Sequence, residues 1–152
     1  MQARLNAFQA APEMMKAVLA LSEAVKASPI DSSIKELVKT RASQINGCAF
    51  CVEMHTREAR AAGETEERLY LLSAWRESPL YTERERAALA WTEALTLVAD
   101  THAPDDVYNE ARKHFNEQEL TELTVGIGLI NLWNRIQVGF RAVHPVTQKA
   151  AA

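Results

Sequence analysis

Apolar residues in this chain recur every three to four positions and almost never alternate one by one. That period fits helices and disfavours half-buried strands. The chain breakers agree, because five glycines and five prolines in 152 residues fall where helices would end. Pro12 suits a first helical turn, and Met14, Val18, Leu21 and Val25 follow at helical spacing until Ser28-Pro29. Asp31 reads as the N-cap of a second helix with Ile34, Leu37, Val38, Arg41 and Ile45 on one stripe, closed by Asn46-Gly47. A third helix is expected from near Cys48 to Gly63, and a fourth over roughly Glu66 to Arg76. After Ser78-Pro79, Thr82 with Glu85 forms a capping box ahead of Ala87, Trp91, Ala94, Leu95 and Val98. A short helix follows Pro104. Asn116 with Glu119 caps a last helix carrying Leu120, Leu123, Ile127, Ile130 and Trp133, expected to stop near His144-Pro145. The expectation is one all-α domain over residues 1–152, with about six to seven helices.

Composition narrows the function classes. Charged residues make up 24% and the net charge is -3, which leaves no basic footprint for nucleic acid. The longest apolar stretch, Val125 to Ile130, is far short of the roughly 20 residues that span a bilayer. No basic-then-apolar leader opens the chain. A cytoplasmic protein with neither a nucleic-acid nor a membrane partner is therefore expected.

The two cysteines matter through their spacing. Cys48 and Cys51 form a single C-x-x-C, and in a reducing compartment such a pair is catalytic or metal-binding more often than a structural staple. On a helical wheel Cys48, Cys51, Val52, His55, Ala59 and Ala62 share one face. The free N–H groups and positive dipole end of a helix start favour a thiolate. His55, one turn after Cys51, is placed to take the thiol proton. Residues three apart on a helix bring their Cα atoms about 5 Å apart, within disulfide range. The pattern reads as a redox dithiol with its own base, reachable by an oxidant. Two other readings stay open at this stage. The cysteines and His55 are ordinary core residues, or they bind zinc with a fourth ligand from His102, His114 or His144. Haem attachment is excluded, since Val52 rather than histidine follows Cys51.

The segment ELVKTRASQINGCAFCVEMHTREARAAG resembles the core motif of the AhpD-like alkylhydroperoxidases, within the carboxymuconolactone decarboxylase superfamily. The family pattern of glutamate, C-x-x-C and histidine falls on Glu36, Cys48, Cys51 and His55 with every spacing kept. The core motif occupies residues 34–63, and TERERAALAWTEALT and INLWNRIQVGFR extend the likeness to Arg141. The resemblance implies an all-α enzyme, an alkylhydroperoxidase of peroxiredoxin-type activity serving antioxidant defence. It implies Cys51 as the peroxidatic cysteine, Cys48 as its disulfide partner, and His55 with Glu36 as the proton relay. It implies no metal and no bound cofactor, an organic hydroperoxide as substrate, a dithiol reductant such as a lipoyl or thioredoxin-like protein, and a homo-oligomer, a trimer or hexamer. Alternative implications are a carboxymuconolactone decarboxylase-like enzyme and a non-enzymatic redox-sensing or zinc-binding module. One departure is visible. Founding members carry a second histidine directly before the latter cysteine, where this chain has Phe50, which cannot pass a proton.

Periodicity and family disagree about Glu36. It lies opposite the apolar stripe of its helix, as a solvated carboxylate would, but Thr40 and Ser43 extend it into a polar strip that could line a cleft or a subunit contact. Trp91 and Trp133, on apolar stripes, are expected in the core. Gly126 and Gly128 each cost a helix about 1 kcal/mol relative to alanine, so a close helix approach is expected there.

Overall fold

The computed structural model describes residues 2–145, and these form nine α-helices and one 3-10 turn, with no strand among them. The helices are α1 (Ala7–Ala10), α2 (Pro12–Lys26), α3 (Ser32–Ile45), α4 (Ala49–Ala61), α5 (Glu66–Leu71), α6 (Glu83–Thr96), α7 (Val98–Thr101), α8 (Asp105–His114) and α9 (Glu117–Gly139). The count exceeds the expected six to seven because α1 and α7, four residues each, are too short to show a period. The expected fourth helix also tightens, passing from α5 into the 3-10 turn Leu72–Ala74. The last helix ends at Gly139 rather than near His144, because Arg141 adopts φ 53 and its N–H turns back to Val138.

The α3 helix is the hub, packing against α4, α6 and α9. Its apolar side enters a core built from Ile34 and Val38 with Ala88 and Trp91 of α6, Phe115, and Leu123 and Ile127 of α9. A second cluster gathers Leu37 with Leu72, Trp75, Tyr81 and Leu89. Both expected capping boxes form, at Thr82–Glu85 and Asn116–Glu119. Trp91 is core, whereas Trp133 is half-buried, stacked on Phe8 and donating to Ser22. Gly126 does mark a close approach, since a Cβ there would meet Val25 at 3.4 Å, but at Gly128 nothing lies within 4 Å.

The turn between α3 and α4 positions the site. Gly47 takes φ 64, a left-handed conformation that costs other residues about 1–2 kcal/mol. Its N–H returns to the Gln44 carbonyl, and that of Cys48 to the Ser43 carbonyl, which is the double closure of a Schellman motif. The chain thereby reverses into a helical hairpin, with Cys48 fixed over Ser43.

Candidate active site

Cys48 is the N-cap of α4, and its sulfur accepts the Cys51 backbone N–H at 3.3 Å. Cys51 follows one turn on, and the two sulfurs lie 2.6 Å apart as free thiols. Closing the S–S bond, about 2.03–2.05 Å long, needs only a small side-chain movement. Both residues are only 1% exposed, so the expectation of accessible sulfurs is not met at rest. α4 lays its thiol face against the polar strip of α3, and α9 covers the end of the hairpin.

The surroundings of the sulfurs are polar despite their depth. Asn134 of α9 is 1% exposed, donates to Ser43 Oγ at 3.0 Å, and accepts from Asn46 Nδ2 at 2.8 Å. The Asn134 amide also favours the ionised form of both thiols, and the Ser43 hydroxyl that of Cys51. Asn131 joins the network by accepting from Asn46 at 2.9 Å. The two thiols share the first negative charge unequally. The Cys51 thiol held against Cys48, together with backbone N–H groups of Cys51 and Phe50 and the Asn134 amide, outweighs burial and lowers Cys48 to about 7. Cys51 is pushed well up, chiefly because its proton is held against the Cys48 sulfur, and also by burial. At rest the charge therefore sits on Cys48, the sulfur already capped by backbone, and Cys51 keeps the proton. Such a pair titrates as a unit.

His55 lies one turn beyond Cys51 and is buried. Its Nδ1 faces two carboxylates, Glu58 at 3.2 Å and Glu36 at 3.6 Å. Carboxylates only accept, so Nδ1 carries the hydrogen and Nε2 is the basic nitrogen. No hydrogen bond joins His55 to either sulfur among the described residues. Glu36 is not the solvated carboxylate its periodicity implies. Its side chain is 17% exposed, paired with Lys39 at 2.6 Å, with Oε2 buried and free of any hydrogen bond. Burial pushes its carboxyl up, but the facing His55 imidazole and the Lys39 ammonium outweigh it and hold the group below the ordinary carboxylate range. The relay's outer end reaches a cleft of about 370 Å³ lined by Glu36, Ala59, Ser33, Glu64, Arg68 and Glu85.

The zinc reading left open for C-x-x-C-x-x-x-H finds no cluster that joins the sulfurs to His55 among the described residues. Among the described residues the one cluster close enough to share an ion is Glu36, His55 and Glu58, and neither sulfur belongs to it. His114 pairs with Glu110, and His102 caps α7. The structure therefore brings together all four residues expected from the sequence, with Glu58, Ser43 and Asn134 added. Ser43 was visible as part of a polar strip. Asn134 carried no local signal, since it lies 91 positions from Ser43.

This all-helical scaffold, with a dithiol at the head of one helix and a histidine–glutamate pair beside it, defines an AhpD-like fold. The chain belongs to the carboxymuconolactone decarboxylase family, whose sequence model matches residues 12–94. The uncharacterized protein YdfG of Bacillus subtilis is 43% identical over 138 residues, covering 91% of this chain and 94% of that protein. The crystal structure of ATU0492 from Agrobacterium tumefaciens is 51% identical with a TM-score of 0.94, covering 96% of this chain and all of the other. That protein is described as of unknown function, with the antioxidant defence protein AhpD suggested for it. The debrominase Bmp8 shares the fold at 19% identity, with a TM-score of 0.78 over 89% of this chain and 73% of its own.

Proposed function

We propose that the chain is a thiol-dependent peroxidase that reduces organic hydroperoxides through a Cys48–Cys51 dithiol/disulfide cycle. One observation carries this reading. A buried cysteine in apolar surroundings is inert and has a raised pKa. This pair is buried among Asn134, Ser43 and backbone N–H groups, with its first proton lost at about 7. The suggestion of antioxidant defence for the Agrobacterium tumefaciens relative supports the same class of chemistry.

The resting charge on Cys48 does not decide which sulfur attacks. A proton crossing the 2.6 Å between the sulfurs converts one thiolate into the other, so the reactive sulfur is the one that meets the oxidant in the better geometry. The cycle then balances as follows. The Cys51 thiolate attacks the terminal oxygen of ROOH, forming S–O and breaking O–O. The alkoxide leaves as ROH with a proton from His55 Nε2, one that the ring has taken up from solvent and whose positive charge Glu36 and Glu58 stabilise. The Cys48 thiolate, its proton passed to His55, displaces hydroxide from the sulfenic acid. That hydroxide leaves as water with the proton from His55, and the disulfide forms. An external dithiol, a lipoyl or thioredoxin-like group, returns two electrons and two protons by thiol–disulfide exchange. Because each sulfur is 1% exposed, the attack passes through a local opening.

The test is a thiol count under denaturing conditions before and after one equivalent of cumene hydroperoxide. Both thiols are expected to disappear together in the parent protein, and more slowly in His55→Ala and Glu36→Ala. Survival of both thiols in the parent overturns the reading.

A further inference from the structure

Thr40 stands out once the hydroxyl groups of the helices are compared. Ser22, Ser43, Thr56, Thr92, Thr121 and Thr124 each donate to the carbonyl four residues earlier, at 2.7–2.9 Å. Thr40 has the same option at the Glu36 carbonyl and does not take it. It is 0% exposed, and its Oγ1 has no hydrogen-bond partner. Burying a hydroxyl without a partner costs about 1–3 kcal/mol, and a valine of nearly the same shape would avoid that cost.

Its position gives the unpaired hydroxyl a use. Thr40 lies on the polar strip of α3, one turn after Glu36 and one turn before Ser43. Glu36 faces His55, and the Ser43 carbonyl accepts the Cys48 N–H, so both neighbours engage the start or the histidine of α4. Thr40 falls between them on that strip, and α3 packs closely against α4. The Thr40 hydroxyl thus lacks a partner on the side of α3 that packs on α4, and among the described residues His55 Nε2 makes no hydrogen bond either.

We propose that the Thr40 hydroxyl is a positioning residue, donating a hydrogen bond to the hydroperoxide oxygen under attack by Cys51 and then to the sulfenic oxygen that remains. This rests on the peroxidase reading above and deepens it, naming a group that holds the oxygen during the attack. The atoms transferred are unchanged; Thr40 keeps its own proton throughout and only orients the oxygen. A neutral hydroxyl donating to an oxygen that gains charge in the transition state supplies about 10–100-fold in rate.

The test uses the full chain with Thr40→Val and Thr40→Ser, reading the second-order rate of dithiol oxidation by cumene hydroperoxide, the thiolate titration by absorbance, and Tm. Thr40→Val is expected to oxidise about 10–100-fold more slowly, with Tm equal to or above the parent and the thiol midpoint unmoved. Thr40→Ser, which keeps the donor, is expected to recover most of the rate. Oxidation of folded Thr40→Val within twofold of the parent overturns the assignment. So does a Thr40→Val loss that tracks a displaced thiol midpoint, because the hydroxyl would then be solvating the thiolate rather than the oxygen. Failure of Thr40→Ser to exceed Thr40→Val also overturns it. If the parent itself consumes no peroxide, the peroxidase reading falls first and takes this proposal with it. An active parent with an unaffected Thr40→Val removes this proposal alone.

Discussion

Replacing Asn134 with leucine separates the structural from the electrostatic use of one buried amide. The side chain is 1% exposed and makes two neutral hydrogen bonds, to Ser43 Oγ at 3.0 Å and from Asn46 at 2.8 Å. Losing both costs about 1–3 kcal/mol at any pH, since leucine fills the volume but pairs with nothing. The amide also stabilises the thiolate form of the pair. A hydrogen bond to a charged group contributes about 1.5–3 kcal/mol, or roughly one to two pKa units at 1.36 kcal/mol per unit. Asn134→Leu is therefore expected to raise the first thiol midpoint from about 7 part of the way toward ordinary cysteines, because the Cys51 thiol and the backbone N–H groups still hold it down. The sign of the coupling to stability follows. Cys48 titrates below its reference value of 9.0, so its contribution to folding is complete above that value and fades as pH falls through about 7. Removing the amide erodes that contribution, so the variant loses more stability relative to the parent at pH 9 than at pH 6. Urea melts under reducing conditions at both pH values, with a thiolate absorbance titration, measure each part. A midpoint that stays at about 7 in a folded Asn134→Leu would refute the electrostatic role of Asn134, and an equal loss at both pH values would refute the linkage.

Further outcomes follow from other contacts. Arg68→Met strips the partner from Glu85, which is 10% exposed and bound at 2.5 Å, and is expected to cost about 3–5 kcal/mol in urea unfolding. Gly47→Ala meets no atom within 4 Å, so its cost is conformational alone, about 1–2 kcal/mol at φ 64, and a thermal melt reads it. After peroxide, Cys48→Ser is expected to accumulate a trappable sulfenic acid and Cys51→Ser none; the reverse pattern exchanges the roles of the two sulfurs.

What the sequence made legible was whatever announces itself locally. The capping boxes at Thr82 and Asn116, the Gly47 turn and the apolar stripe of α3 all read correctly, because each rests on residues within one or two turns of helix. The four-residue pattern Glu36, Cys48, Cys51, His55 was legible as a family likeness. Glu36 was not legible from periodicity, because its burial comes from α4 folding back over a polar face, and a hydrophobic wheel registers only apolar contacts. Asn134 and Asn131 lay beyond sequence reasoning for a related reason. They meet Asn46 and Ser43 at the hairpin only once α9 packs across it, and polar residues on an otherwise apolar helix carry no mark of which neighbour they will meet. The depth of the sulfurs was missed too, since a helix start is exposed on its own and becomes buried only through packing.

The pH dependence of the rate at which cumene hydroperoxide oxidises the reduced protein bears most directly on the claim that this buried dithiol is held ready as a thiolate. The rate is expected to climb about tenfold per pH unit below neutrality and level off near 7, where the first proton leaves. A profile still rising through about 8.5, as for an unassisted cysteine, or thiols that outlast the peroxide at every pH, would contradict it.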